Sequence, residues 1–279
     1  MAAAGEPVSA TDREPDPRPD SDPQSSRAAG GRVRYLAIIT DGNGRWARAH
    51  GRSVNDGHSA GADTVKARLR DAAELGIEEF TVYSFSTENW SRPPAEVQGL
   101  MAMFSQRIVE ETPELHEEGV RMRFIGRREG VGERLSEQMS SAEALTRANT
   151  RITMFVAFNY GGRAEIVDAA RRFAASRGGG ESAGTGVQGE GGRQADTGGS
   201  LGLHADEEEF RACLYAPEMH DPDLIIRTSG ERRLSNYLLW QSAYSELVFR
   251  EELWPDFTRE ALEESLAEYA ERRRRFGGR

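Results

Sequence analysis

Apolar and polar positions along this chain follow two periods, and the changes between them mark its elements. Short runs rich in β-branched and aromatic residues read as strands: Tyr35–Thr40, Glu79–Phe85, Arg121–Ile125, Ile152–Phe158, Leu224–Arg227 and Glu246–Phe249. Between them apolar residues return at helical spacing. The stretch Asp56–Leu75 carries Ala62, Val65, Leu69, Ala72 and Ala73 and is closed by Gly76. Ala95–Glu111 puts Val97, Leu100, Met101, Phe104 and Ile108 on one face. Gly132–Asn149, Arg163–Ala175, Glu207–Tyr215 and Thr258–Arg274 read as further helices, and Pro93-Pro94 close the polar loop Ser86–Pro94. Alternating strands and helices predict an α/β domain whose mainly parallel central sheet has about six strands flanked by helices. Ligands in such sheets bind beyond the carboxyl ends of the strands. The loops expected to hold a site are therefore Asp41–Trp46, Ser86–Arg92, Asn159–Arg163 and Thr228–Ser235.

Two stretches break the pattern. Residues 1–32 are Ala, Pro, Asp and Ser with almost nothing to bury, and are expected to form a disordered leader. Residues 177–203 are glycine-rich and are expected to be a flexible insertion within one domain over 33–276, followed by a short tail, 277–279. The 279 residues, 37% hydrophobic, suffice for one sizeable core. The single cysteine, Cys213, excludes an internal disulfide and fits a reducing, cytoplasmic setting. No apolar run approaches the ~18–20 residues of a membrane span, and the amino-terminal stretch has no apolar core of a secretory signal. A net charge of -10 argues against general nucleic-acid binding but leaves room for a local basic pocket.

The candidate chemistry begins at Ile38-Ile39-Thr40-Asp41-Gly42-Asn43-Gly44-Arg45-Trp46. A strand that feeds a glycine loop at a helix start can hold phosphate on its backbone N–H groups. Asp41 beside a phosphate is repulsive unless a divalent cation lies between, and Mg²⁺ uses one or two carboxylates plus phosphate oxygens in this way. Two other readings stay open here: a G-x-G-x-x-A dinucleotide turn, and a plain strand-to-helix turn capped by Asp. After the fifth strand, Arg227, Arg232 and Arg233 stand with Thr228, Ser229 and Ser235 around Gly230. Guanidinium groups suit bidentate phosphate recognition, while a solvated basic loop is the plainer alternative.

Taken together, several motifs resemble the cis-prenyltransferases, the isoprenyl transferase or undecaprenyl diphosphate synthase family. They are Asp41–Trp46, Gly57-His58 with Gly61, Phe85–Trp90 with Arg92-Pro93, Asn159–Arg163, Arg227-Thr228 through Ser235-Asn236, Trp240-Gln241 and Glu246. The resemblance runs from Tyr35 to Gly277 and implies an apolar product tunnel. It also implies a transferase that joins isopentenyl diphosphate to an allylic diphosphate with a cis double bond, Mg²⁺ as cofactor and a homodimer. The product of such an enzyme is one a membrane can receive.

By the same resemblance, Asp41 and Glu246 hold Mg²⁺, and Gly42, Asn43, Gly44, Arg45 and His58 bind the allylic headgroup. Arg227, Arg233 and Ser235 hold isopentenyl diphosphate, Leu234 is a further substrate-binding residue, and Ser86, Thr87, Glu88, Trp90 and Arg92 line the substrate region. Trp46 and Phe85 form apolar wall. The implied proton acceptor falls on Asn89, but a neutral amide is a very weak base, so Asn89 is expected to position the substrate while a diphosphate oxygen takes the proton. Arg275-Phe276-Gly277 matches an end that reaches a neighbouring subunit's site. The chain departs from the family pattern at Val54, where many members carry arginine, at Thr40, where Met is common, and at Arg232, where some carry histidine. The alternatives are an irregular synthase that couples two allylic units, a non-catalytic scaffold and, least favoured, a dinucleotide oxidoreductase.

Overall fold

A computed structural model describes residues 32–178 and 206–272. Residues 1–31 of the expected leader, most of the glycine-rich insertion and Arg275-Phe276-Gly277 lie outside those residues, whereas Arg32, expected at the leader's end, bonds the Gly76 carbonyl at 2.7 Å. Six strands form one sheet in the order β3-β4-β2-β1-β5-β6, and every pairing is parallel. They are β1 (Tyr35–Ile39), β2 (Glu79–Ser86), β3 (Val120–Ile125), β4 (Ile152–Tyr160), β5 (Leu224–Arg227) and β6 (Glu246–Phe249). The helices are α1 (Asn43–Ala49), α2 (Val54–Glu74), α3 (Pro94–Glu117), α4 (Glu133–Thr146), α5 (Gly162–Gly178) and α6 (Arg259–Glu271), with a further helical stretch over 206–211.

The central strands β4, β1 and β5 are buried on both faces, as parallel strands covered by helices must be, whereas the edge strands β3 and β6 are half-buried; the side chains divide by alternation. Leu36 and Ile38 of β1, Leu224 and Ile226 of β5, and Met154, Val156 and Phe158 of β4 pack into one core with Leu69, Leu100, Leu115, Leu135, Trp254 and Leu262. Ala37 and Ile39, Ile225, and Phe155 and Ala157 face the other way, onto Met219, Tyr237 and Leu238.

Several helix ends differ from the sequence expectation by three or four residues, and the largest difference has a clear reason. Helix α3 runs to Glu117, through Pro113, rather than stopping at Glu111. Pro113 removes the N–H that would bond the Val109 carbonyl. Val109 is more than half exposed, so water can serve that carbonyl, and burial of Leu115 holds the last turns against the core. The Ser86–Pro94 loop contains a 3-10 turn, Thr87–Ser91, closed by a reciprocal Ser86–Asn89 capping box.

Two glycines of α2 let α1 lie directly on it. A Cβ at Gly57 would press into the Asn43 carbonyl oxygen and stand 2.9 Å from the Ala47 Cβ; one at Gly61 would stand 2.8 Å from the Asn43 Cγ. Gly57→Ala is therefore expected to destabilise the protein by about 1–3 kcal/mol, the usual cost of overpacking. At Gly44 a Cβ meets nothing within 4 Å, so Gly44→Ala should leave stability unchanged or raised. Urea unfolding midpoints of the two variants check the contrast.

Candidate active site

In this strand order the chain reverses direction between β1 and β5, and the carboxyl ends of those two strands make the crevice where such sheets take ligands. Asp41 follows β1, and Arg227 ends β5. They meet there: Arg227 Nη2 donates to Asp41 Oδ2 at 2.9 Å. Arg227 is almost fully buried, and its other amino group donates to the Arg233 carbonyl and, at 2.6 Å, to Ser235 Oγ. Its Nε is buried with no partner. Thr228 locks the same junction, accepting from the Asp41 N–H at 3.1 Å and donating to the Asp41 carbonyl at 2.7 Å.

Arg45, in the first turn of α1, bonds the Ser229 carbonyl at 3.0 Å and Ser229 Oγ, and stands 3.7 Å from Asp41 Oδ1. The loop after β5 holds this shape in an unusual backbone: Ser229, Ser235, Asn236 and Leu238 all have positive φ. Each left-handed residue costs roughly 1–2 kcal/mol, and such cost persists only where surrounding bonds fix the conformation. Here Ser229 N–H and Gly230 N–H bond the Glu252 and Arg250 carbonyls at 2.8 Å each, and Gly162 N–H bonds the Asn236 carbonyl at 2.7 Å.

A polar pocket opens over Asp41, lined by Asp41, Gly42, Asn43, Gly44, Arg45, Arg48, Val54, His58, Arg92 and Glu96. Arg92 donates to Glu96 at 2.8 Å. His58 lies 3.6 Å from Glu96 and 3.4 Å from Arg92. Burial, aided by the Arg92 charge, holds the His58 imidazole below its ordinary pKa and so neutral at pH 7. Thr40, Asn43 and His58 also line a second cleft that runs inward between α2, α3 and the sheet. Its wall is mostly apolar: Ala62, Val65, Leu100, Met103, Phe104, Ile108, Leu115, Met122, Phe124, Met154, Val156 and Trp254. A charged mouth thus leads straight into a hydrocarbon-lined interior.

The structure brings Asp41, Gly42, Asn43, Gly44, Arg45, His58 and Arg92 together around the polar pocket, with Arg227 and Ser235 at its edge. Ser86, Thr87, Glu88, Asn89 and Trp90 form the adjoining arm. Glu88 accepts from Asn236 at 2.8 Å, Trp90 Nε1 donates to Asn159 Oδ1 at 2.8 Å, and Asn89 Oδ1 accepts from the Ser86 N–H at 2.9 Å. Arg233 is exposed and pairs with Glu231, and Leu234 packs at the edge of the second core.

Three expected placements differ. Trp46 lines neither cavity; it bonds Asp256 at 2.7 Å and stacks on His50. Phe85 lines neither, being buried between Trp90 and Phe158. Glu246 pairs in register with Leu224 and, through it, Leu36, at the amino edge of the sheet. That is about 16 Å along the strands from Asp41, and Glu246 is ion-paired to Arg272 at 2.8 Å. Asp41 and Glu246 of one chain therefore do not share an ion, because the start and the end of parallel strands lie at opposite edges.

Sequence reasoning missed Arg48 and Trp254. Arg48 stands one turn beyond Arg45 on the same face of α1, a spacing legible in the sequence. No local signal marks Trp254, which arrives from the far end of the chain to bond the Gly61 carbonyl at 2.8 Å.

The residues present fit a hard cation. Asp41 Oδ1 accepts no hydrogen bond among the described residues, and Asn43 Oδ1, set against Gly61 of α2, is buried without a partner. Among the described residues no three or more His, Cys, Asp or Glu side chains gather as a ligand set. A cation at Asp41 would thus draw its remaining ligands from phosphate oxygens and water.

Comparison with known proteins agrees on one group. A family model described as "Putative undecaprenyl diphosphate synthase" matches residues 39–277. Isoprenyl transferase 2 of Bradyrhizobium diazoefficiens is 46% identical over 244 residues, covering 88% of this chain and 90% of that one. The (2E,6E)-farnesyl-diphosphate-specific ditrans,polycis-undecaprenyl-diphosphate synthase of Escherichia coli K12 is 43% identical over 256 residues, covering 92% and 94%. The crystal structure of lavandulyl diphosphate synthase from Lavandula x intermedia, in complex with dimethylallyl diphosphate, superposes with a TM-score of 0.78 at 32% identity, covering 89% of this chain and 99% of that one.

Proposed function

The chain belongs to the undecaprenyl diphosphate synthase family of isoprenyl transferases, and from that membership we propose how its residues divide the work. The reaction condenses isopentenyl diphosphate with an allylic prenyl diphosphate to give a cis-polyprenyl diphosphate. One observation carries the assignment of sites: the polar pocket over Asp41 and the apolar cleft share Thr40, Asn43 and His58, so an amphiphile can rest its head in one and its tail in the other.

The allylic diphosphate lies over Gly42–Arg45, with Arg45, Arg48, neutral His58 and Arg92 around it. Isopentenyl diphosphate lies on the 227–235 loop, where the orphaned Arg227 Nε and the exposed Arg233 are the donors. Mg²⁺ held by Asp41 would offset charge on the departing diphosphate as the allylic C–O bond opens. The new bond joins the allylic carbon to isopentenyl diphosphate, whose C2 proton is released. Asn89, its oxygen engaged by the Ser86 N–H, keeps an NH₂ group to orient that substrate, and the proton goes to a diphosphate oxygen. Family membership also supports a cytoplasmic homodimer. No helix among the described residues is long and apolar enough to cross a membrane.

Arg48 lines the same pocket as Val54 and makes no ion pair among the described residues, whereas Arg45 and Arg92 are already engaged. It is positioned to supply the charge that Val54 lacks. Arg48→Ala should raise the KM for the allylic diphosphate about tenfold, leaving that for isopentenyl diphosphate unchanged, and Val54→Arg in the same chain should restore it. The defining experiment supplies radiolabelled isopentenyl diphosphate, Mg²⁺ and allylic primers of increasing length. Labelled cis-polyprenyl products are expected, and no incorporation with any primer would end this reading.

A further inference from the structure

Helices α2 and α3 run side by side along the apolar cleft, and their outer seam is ionic. Lys66 reaches Glu114 at 3.0 Å, and Arg70 reaches Glu114 and Glu118 at 2.6 Å each. Arg107 belongs to this seam, yet it also lines the cleft, with Glu111 beside it. Its Nη1 donates to Asp63 at 2.5 Å and Glu111 at 2.8 Å, and its Nη2 to the Ser59 carbonyl at 3.1 Å and Ser59 Oγ at 2.8 Å. One guanidinium thus ties two turns of α2 to α3. Asp63 is largely exposed while Arg107 and Glu111 are mostly covered, so the side chain passes from the cleft wall outward between the helices.

Beyond Thr40, Asn43, His58 and Ser84, this polar group interrupts a lining that is apolar on both sides of it. Leu100, Met103 and Phe104 stand nearer the mouth, and Leu115, Met122 and Met154 deeper. Glu96 marks the mouth, and Arg107 lies about 16 Å further along α3 at 1.5 Å per residue. A hydrocarbon tip that reaches this depth must strip water from a charged cluster without offering it a hydrogen bond, or part the two helices. Both are unfavourable, whereas each methylene added above it gains apolar burial.

We propose that Arg107, clasping α2 to α3 through Ser59, Asp63 and Glu111, is a specificity-determining residue that sets the length of the prenyl chain at release. The clasp acts through its charge and bonds rather than its bulk. The inference rests on the reading that the cleft receives the growing tail, and the test separates the two.

Purified wild-type protein is compared with Arg107→Met, Arg107→Lys and the double variant Asp63→Asn/Glu111→Gln, each first checked for cooperative thermal unfolding. The first readout is the length distribution of labelled products. The second needs no turnover: affinity for prenyl diphosphates of increasing tail length, by calorimetry without isopentenyl diphosphate. Wild type and Arg107→Lys are expected to gain affinity up to one tail length and then level off. Arg107→Met and the double variant are expected to gain on the order of tenfold more for the next five-carbon unit and to release longer products. The double variant reports the same clasp from its other side if Arg107→Met does not fold. A plateau and product length unchanged in both variants overturns the proposal, as does shortening. Wild type that binds tails with a movable plateau but condenses nothing would sink the proposed reaction and leave the clasp standing.

Discussion

Asp41→Ala should lower kcat by about 10³-fold or more, since it removes the carboxylate that anchors charge opposite the departing diphosphate. The protein should remain folded, because Arg227 keeps the Arg233 carbonyl and Ser235 Oγ as acceptors. Asp41→Asn sharpens the test. The amide preserves shape and can still accept from Arg227 while losing the negative charge. Its unfolding midpoint should fall, because the buried Arg227 guanidinium loses its counter-charge, yet turnover should stay lost at every Mg²⁺ concentration at temperatures where the variant is folded. Steady-state rates across a Mg²⁺ series, with thermal melts, check both variants, and normal turnover by either would remove Asp41 from the mechanism.

Arg227→Met is expected to damage stability and turnover together. Removing one partner of a buried pair typically costs 3–5 kcal/mol; Asp41 is about one-third exposed, so about 3 kcal/mol is the appropriate end. Ser235 and the Arg233 carbonyl also lose their donor, and the positive-φ loop loses a tether. Urea unfolding should show the lower midpoint, and no condensation should be measurable even at a temperature where the variant is folded. Arg227→Lys should rescue little, because an ammonium cannot reach Asp41, Ser235 and a carbonyl in the forked geometry that guanidinium provides.

Much of this was legible in the sequence. The strands announce themselves as apolar runs, and the bounds of β5 and β6 agree to the residue because polar neighbours close them sharply. The carboxyl-end loops contain the pocket, as parallel topology requires. What escaped depends on distance in the chain. Helix α3 outlasts Pro113 because of a core contact at Leu115, which no local pattern reveals. Trp46 and Phe85 have the composition of a greasy wall, but their neighbours Asp256 and Phe158 draw them elsewhere. Glu246 shows that similarity transfers a residue type more surely than its location; its place at the start of a parallel strand already set it on the other rim from Asp41.

The Asp41–Arg227 contact ties the ends of two adjacent strands, and in the proposed division of the site each end serves a different substrate. A ligand that draws Asp41 away frees a guanidinium on the other side, and one that engages Arg227 loosens its hold on the acid. Thermodynamic reciprocity then requires that whatever factor the first occupant imposes on the second is returned in equal measure. On that division the two seats would be halves of one balance, and loading either would reset the other.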